Sequence, residues 1–170
     1  MKKRMNVHTL VMLSVLIAME IILSRFLSIA AWNVKIGFSF VPIVIAAVAY
    51  GPLAGGLVGG VADLAGALLF PIGAYFPGFT LTALLTGIIY GLFLYKRQTL
   101  IRISGAVAIN QLILSLLLNT LWISILYGAE FGPLLTTRIF QCAILIPVQL
   151  IVIGSITKVI KVYLTKRVKV

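Results

Sequence analysis

Acidic and metal-ligating side chains are scarce in this sequence of 170 residues, which has three Asp or Glu residues, one histidine and one cysteine. The single cysteine, Cys142, excludes an internal disulfide, and His8 has no second ligand near it for a metal ion. With one histidine and three acids the sequence shows no Ser-His-Asp set, and no Walker P-loop is present for ATP hydrolysis. We therefore expect no metal, no cofactor and no enzymatic activity in this chain.

Charged residues as a whole are also scarce. They make up 10% of the sequence against 62% apolar residues, and the mean hydropathy is +1.19. A soluble domain has about 25% charged and about 45–50% apolar residues, and a soluble fold of this size could not bury so much apolar surface. The composition also excludes a disordered chain. Because the apolar residues run continuously instead of alternating, the sequence predicts an all-α integral membrane protein in a lipid bilayer.

Apolar runs predict a compact bundle of six transmembrane helices that forms one domain over residues 1–170. At about 20 residues per span and about 5 per loop, the chain length fits six spans. The predicted spans cover residues 9–31, 36–50, 53–70, 79–95, 103–126 and 137–160. The second is short at about 1.5 Å per residue, so it is tucked against its neighbours or begins earlier. Two prolines and two glycines predict a structured loop over residues 71–78.

The net charge of +11 is concentrated on one side of this six-span arrangement. The cations on that side are Lys2, Lys3, Arg4, Lys96, Arg97, Arg102, Lys158, Lys161, Lys166, Arg167 and Lys169. The positive-inside rule then places both termini in the cytoplasm, whereas five spans would put the two basic ends on opposite sides. Because topology accounts for the positive charge, we expect no nucleic-acid partner.

Three cations, Arg25, Lys35 and Arg138, remain on the outer side. A charged side chain in a span is costly and usually faces a cavity or a partner. Because arginine binds a carboxylate through two parallel hydrogen bonds, these residues indicate an anionic ligand at the outer face. The alternatives are a Lys35 ammonium that reaches the headgroups and arginines held in structural ion pairs. The carboxylates available for such pairs are Glu20, Asp63 and Glu130.

Polar side chains form stripes on the fifth and sixth predicted helices. The first stripe holds Gln111, Ser115 and Trp122, with Asn119 at its edge, and the second holds Arg138, Gln141 and Gln149. Interhelical hydrogen bonds account for the deeper members, Gln111, Ser115 and Gln149. The outer members lie at the level of the aromatic residues Phe76 and Phe79. Such a set suits a flat heteroaromatic ring with an acidic tail, although an interfacial aromatic belt is the alternative.

Two further features concern helix contacts. Ser14 and Ala18 are small residues four apart on the inner half of the first predicted helix. Such a pair lets helix backbones approach closely, within the bundle or against another membrane protein.

Asp63 lies on the third predicted helix, where it either caps a neighbouring group or binds a ligand donor.

Several segments are similar to a known family. Four features support the similarity: the chain length, the six predicted spans, the Ser14 and Ala18 pair, and one sequence block. The block is Gly-Pro-Leu-Ala-Gly-Gly at residues 51–56, followed by Ala-Asp-Leu at 62–64. The chain thus resembles the substrate-binding S components of energy-coupling factor (ECF) transporters, the bacterial vitamin importers. The 51–64 block recurs in S components of different specificity, so Asp63 is expected to be mainly architectural. Residues 23–29, 35–42, 70–80 and 118–122 are similar to the folate-specific members.

The resemblance implies a multi-pass protein of the bacterial plasma membrane that captures folate at the extracellular face with high affinity. It also implies a transmembrane coupling subunit and two cytosolic ATPases as partners, with the S component toppling in the membrane to carry its site inward. Ser14 and Ala18 would lie at the coupling interface. The family's motif there is Ala-xxx-Ala, so Ser14 is a departure, but serine is small and docking should survive.

For a folate ligand, nine residues are assigned to binding. They are Arg25, Lys35, Phe76, Gly78, Phe79, Asn119, Trp122, Arg138 and Gln141. The aromatic residues are expected to stack on the pteridine ring, and the two amides to hydrogen-bond its edge. The three cations are assigned to the carboxylates of the glutamate tail or to the ring carbonyl.

Other functions stay open at this point. An S component for pantothenate, riboflavin or a queuosine precursor is the first alternative, although two arginines and a lysine suit the two carboxylates of folate better than they suit riboflavin. A small membrane enzyme acting on lipids would need clustered Asp or His, which the sequence lacks. A structural subunit without a ligand would leave the arginines and Asn119 unexplained.

Overall fold

The protein folds as a helical bundle with one small hairpin. The computed structural model describes residues 6–31 and 34–168. The elements are α1 (Val7–Arg25), β1 (Ile29–Ala31), β2 (Val34–Ile36), α2 (Phe40–Tyr50), α3 (Pro52–Leu69), α4 (Pro77–Leu94), α5 (Leu100–Ala108), a π-helix (Ile109–Leu118), α6 (Asn119–Tyr127) and α7 (Phe131–Val168). The prediction of an apolar helical fold is confirmed, whereas the strands were not predicted. Of the cations used to predict topology, Lys2, Lys3, Arg4 and Lys169 lie outside the described residues.

Five helices in the described part of the chain are long and apolar enough to cross a membrane. They are Val7–Arg25, Pro52–Leu69, Pro77–Leu94, Leu100–Tyr127 and Phe131–Ile160. The fourth is one continuous rod made of α5, the π-helix and α6. The remaining helix, α2, has 11 residues, or about 16 Å at about 1.5 Å per residue, which is about half of the hydrocarbon core.

The hairpin corrects the ends of the first two predicted spans. The helix predicted over residues 9–31 ends at Arg25, and the helix predicted from residue 36 begins at Phe40. Between them the strands pair antiparallel, with Ile29 opposite Ile36. The β-branched residues suit a strand, but a short apolar run does not distinguish a strand from a helix. A prediction from hydropathy therefore assigns the strand residues to the adjoining helices.

The other predicted spans agree with the structure more closely, because proline and glycine mark their ends. Pro52 and Pro77 occupy the first turns of α3 and α4, where the missing N–H has no helical partner. Gly51 separates α2 from α3 with φ of 100°, a conformation that favours glycine. The last helix was predicted from residue 137 but begins at Phe131, since Pro133 is tolerated in a first helical turn.

Glycine allows α3 and α4 to pack backbone against backbone. A Cβ atom on Gly87 would collide with the backbone of Gly55, and one on Gly91 would collide with Pro52. Small residues at such positions permit close helix contact. The residues fully buried around this contact include Val44, Val58, Tyr90 and Leu94.

Candidate functional site

A cavity of about 610 Å³ lies within the bundle, a size typical of small-molecule sites, which span about 300–1,000 Å³. Its charged and amide lining residues are Glu20, Arg25, Lys35, Asp63, Asn110, Gln111, Asn119, Arg138, Gln141 and Gln149. Six of the nine predicted ligand-binding residues are among the lining residues: Arg25, Lys35, Phe79, Asn119, Arg138 and Gln141. The cavity therefore collects side chains that are as far apart in sequence as α1 and α7.

Lys35 reaches the cavity through the hairpin. Its strand, β2, packs on α7, where the Nε2 atom of Gln141 donates a hydrogen bond of 2.6 Å to the carbonyl oxygen of Lys35. Strand backbone beside membrane helices is tolerated where it lines a cavity. Burial lowers the pKa of Lys35, and Arg25 lowers it further, whereas Glu20 and Asp63 oppose the shift. Lys35 is thus a partly buried cation in the cavity wall.

Arg25 lies at the end of α1 and pairs with Asp63 of α3. Its Nη2 atom is 3.7 Å from Asp63 Oδ1 and donates a hydrogen bond of 3.4 Å to the carbonyl oxygen of Asp63. The Thr80 hydroxyl donates to Asp63 Oδ2 at 2.8 Å. Because that hydroxyl has one hydrogen, the Tyr75 hydroxyl, 3.2 Å away, is the donor to Thr80. The structural ion pair considered for Arg25 therefore exists, and both of its members also line the cavity.

The π-helix supplies backbone acceptors to α7. Arg138 donates from Nη2 to the carbonyl oxygen of Ser115 at 2.9 Å, and the Cys142 thiol donates to the carbonyl oxygen of Gln111 at 3.4 Å. Arg138 and Gln141 are 6% and 5% exposed, so neither side chain can turn to bulk water. Widened i→i+5 turns occur frequently at functional sites. Here the wide turns hold α7 and its two polar side chains against the cavity.

Three predicted ligand-binding residues, Phe76, Gly78 and Trp122, lie beside the cavity and not in its lining. Trp122 donates from Nε1 to the Thr82 hydroxyl at 3.0 Å, and its ring centroid is 5.5 Å from that of Phe76. A Cβ atom on Gly78 would lie 2.6 Å from the Trp122 ring. These residues pack behind Phe79, which contacts Phe76 edge to face at 6.2 Å and does line the cavity.

The π-helix also explains why the predicted stripe on this rod was partly wrong. A regular α-helical wheel groups Gln111, Ser115 and Trp122 and leaves Asn119 at the edge. In the structure Gln111, Ser115 and Asn119 share the cavity, and Trp122 does not. Turns of i→i+5 change the angle between successive side chains, and nothing in the composition of the segment indicated them.

Some lining residues were missed or were given a different role by sequence reasoning. Glu20 was considered only as an ion-pair partner, and Asn110 and Tyr90 were not singled out. Gln149 accepts a hydrogen bond of 3.0 Å from the Tyr90 hydroxyl, which is the interhelical bond predicted for it, and it also lines the cavity. A polar residue inside an apolar run was the available signal for Glu20 and Asn110.

Ser14 and Ala18, the predicted partner-binding pair, lie away from the cavity. Both are exposed on α1, and the Ser14 hydroxyl donates within its own helix to the carbonyl oxygen of Leu10 at 3.0 Å. The Ser14 hydroxyl is therefore satisfied inside α1, and this face of the helix presents small side chains at the surface.

Apolar helices around a cavity lined with charged and amide groups define a multi-pass membrane protein with a ligand site. Residues 8–157 match the family model described as ECF transporter, substrate-specific component. The chain belongs to this family.

Relatives and solved structures agree with this assignment. The chain is 39% identical to the folate transporter FolT of Clostridium novyi over 91% of each chain. It is 31% identical to FolT of Leuconostoc mesenteroides, over 86% of this chain and 82% of that one. A crystal structure of FolT bound with folic acid superposes with a TM-score of 0.86 at 34% identity, covering 90% of this chain and 94% of the other. The S component of a bacterial ECF transporter matches at 25% identity with a TM-score of 0.54, over 95% and 97% of the chains.

Proposed function

We propose that this protein is the folate-binding S component of an ECF-type importer. The observation that carries the proposal is the cavity where Arg25, Lys35 and Arg138 meet amide side chains, in a fold that closely matches a folic-acid-bound relative. Two carboxylates, Glu20 and Asp63, line the same cavity. Among these residues the three cations exceed the two anions by one, so an anionic ligand is favoured.

The chemistry of folate fits this charge distribution. Its glutamate tail has two carboxylates, and each gains a charge-assisted hydrogen bond from an arginine. Arg138 and Arg25 are the strongest candidates, because both are largely buried within helices that face the cavity. Lys35 adds a third donor for a carboxylate or for the carbonyl oxygen of the ring. Riboflavin has no carboxylate and would leave the excess of one cation without a counter-charge.

The flat pteridine ring fits the wall formed by Phe79 and the neighbouring amides. Phe79 offers a ring for offset or edge contacts, and Phe76 and Trp122 hold it from behind. The buried oxygen atoms of Asn119 and Gln141 accept no hydrogen bond from any described residue. They are available to N–H groups of the ring, since a polar group left unpaired in a closed site is costly.

Transport requires partners that this chain lacks. We infer that a transmembrane coupling subunit and two cytosolic ATPases drive delivery of folate from the extracellular face into the cell. The exposed small residues Ser14 and Ala18 would allow a helix of the coupling subunit to approach closely. The protein itself is then a transport subunit of the plasma membrane and not an enzyme.

Six spans with both termini in the cytoplasm complete the proposal, on the basis of the positive-inside rule. In a Cys142→Ser background, single cysteines at Glu130 and Arg97, both exposed, should label from outside and inside respectively. Labelling of both positions from the same side, or in the reverse order, would contradict this topology.

Co-purification tests the ligand. The protein is purified in detergent, and any bound compound is released and identified by absorbance and mass spectrometry. A pterin with a glutamate tail is expected. A different vitamin in the released fraction, together with stabilisation by that vitamin and not by folate in a thermal-shift panel, would contradict the proposal.

A further inference from the structure

Glu20 is a buried carboxylate of α1 that lines the cavity. Its side chain is 6% exposed, and its Oε2 atom accepts no hydrogen bond from the residues that the structure describes. Among the described residues, the ion pair is the one between Arg25 and Asp63, and it does not include Glu20. Lys35 and Arg25 act on Glu20 electrostatically, and the Ser24 hydroxyl lies within hydrogen-bonding reach of it. A buried carboxylate oxygen that stays unpaired is costly, so a ligand N–H group that pairs with Oε2 would explain the position of Glu20.

A second buried acceptor lies in the same wall. The Nε2 atom of Gln141 donates to the carbonyl oxygen of Lys35, which can only accept, so the orientation of this amide is determined. Its Oε1 atom is buried and accepts no hydrogen bond within residues 6–31 and 34–168. Lys35 lines the cavity next to this bond and interacts electrostatically with Glu20. The wall therefore presents the Lys35 ammonium as a donor and Glu20 and Gln141 as acceptors.

We propose that Glu20 accepts hydrogen bonds from the N–H edge of the pteridine ring and so determines which rings the cavity accepts. This inference rests on the proposed function, in which the ligand is folate. One edge of that ring presents a carbonyl oxygen, a ring N–H and an exocyclic amino group in succession. The donor and the acceptors of the wall match these groups in kind, and a carboxylate accepts two parallel N–H bonds especially well.

Selectivity follows from this pairing. A ring that lacks the exocyclic amino group would leave a buried carboxylate partly unpaired, and sites built to hydrogen-bond an N–H reject such analogues strongly. Glu20 is thus a specificity-determining residue, whereas the arginines bind the acidic tail.

The experiment measures dissociation constants by calorimetry for folate and for a folate analogue with methyl in place of the 2-amino group. The unmodified protein should bind the analogue at least about tenfold more weakly than folate, since hydrogen bonds to charged groups are strong. Glu20→Gln should bind folate at least about tenfold more weakly, with little remaining preference for folate over the analogue. Glu130→Gln, an exposed carboxylate outside the cavity lining, is the matched control and should bind both ligands as the unmodified protein does.

Three outcomes would overturn the inference. If Glu20→Gln keeps the full preference for folate over the analogue, Glu20 does not contact the amino group. If the unmodified protein binds both ligands equally, no residue of the protein recognises the 2-amino group. This result does not depend on whether a variant folds. If the unmodified protein does not bind folate at all, the proposed function fails together with the inference, whereas the first two outcomes leave the proposed function intact.

Discussion

Gly66 controls the position of Arg25, and Gly66→Ala should therefore weaken folate binding without damaging the fold. A Cβ atom on Gly66 would lie 2.8 Å from the Nε atom of Arg25, and ordinary contact begins at 3.4 Å. The Arg25 side chain must then move by about 0.6 Å or rotate away, taking the difference of those two distances. Because the nearest atoms belong to a long flexible side chain, the backbone of α3 does not have to shift.

The expected loss is smaller than that of removing the arginine. Truncating a charged partner in a desolvated contact costs about 2–5 kcal/mol, and a displaced guanidinium retains part of the interaction. We expect about 1.4 kcal/mol, or about a tenfold increase in the folate dissociation constant. The free energy of unfolding should not fall, because alanine is favoured over glycine in a helix by about 1 kcal/mol.

Calorimetric titration with folate measures the effect, and thermal unfolding in detergent checks the fold. Gly154→Ala is the matched control, since a Cβ atom there meets nothing within 4 Å. In a double-mutant cycle, Gly66→Ala should have little further effect once Arg25→Ala is present. Unchanged affinity in Gly66→Ala, or the same loss with and without Arg25, would refute the role assigned to this glycine.

The remaining predictions concern the other cations and the partner surface. Arg138→Ala should weaken folate binding by about 30-fold or more, because about 1.4 kcal/mol corresponds to one decade; unchanged calorimetric affinity in folded protein would exclude Arg138 from the site. Leucine at Ser14 or Ala18 should reduce folate uptake by cells while binding by the isolated protein persists, and equal loss of both would make the pair a structural contact only. Since burial and Arg25 lower the pKa of Lys35, the ammonium loses its proton at lower pH than an ordinary lysine, and folate affinity should fall as pH rises through that range. Lys35→Arg stays charged and should flatten this dependence; identical pH profiles would show that Lys35 does not bind the anion.

Much of the fold was readable from composition and helix-terminating residues. The apolar runs located the third, fourth and fifth predicted helices within about three residues at each end, and Gly51, Pro52 and Pro77 mark ends by their backbone chemistry. The hairpin could not be predicted, since the mostly apolar residues 29–36 suit a helix and a strand alike. Its position depends on contacts with α7, such as the bond from Gln141 to Lys35, which no local pattern encodes.

Site residues could be predicted where a charged side chain lies in an apolar segment, because such a charge is costly unless it faces a cavity or a partner. Arg25, Lys35 and Arg138 were selected on that ground, and all three line the cavity. The same argument applied to Glu20, but a carboxylate near arginines was interpreted as a counter-ion. An α-helical wheel puts Trp122 on the same face as Gln111, whereas the π-helix leaves Trp122 outside the cavity lining, so this difference comes from backbone geometry.

The proposal that this cavity binds folate through its buried cations can be tested by calorimetric titration of the purified protein with folate, beside the Arg25→Ala and Arg138→Ala variants. We expect saturable binding at one site per chain and a marked loss of affinity in at least one variant that unfolds at the same temperature as the unmodified protein. Folate binding that is absent, or that is equally tight in the unmodified protein and both variants, would contradict it.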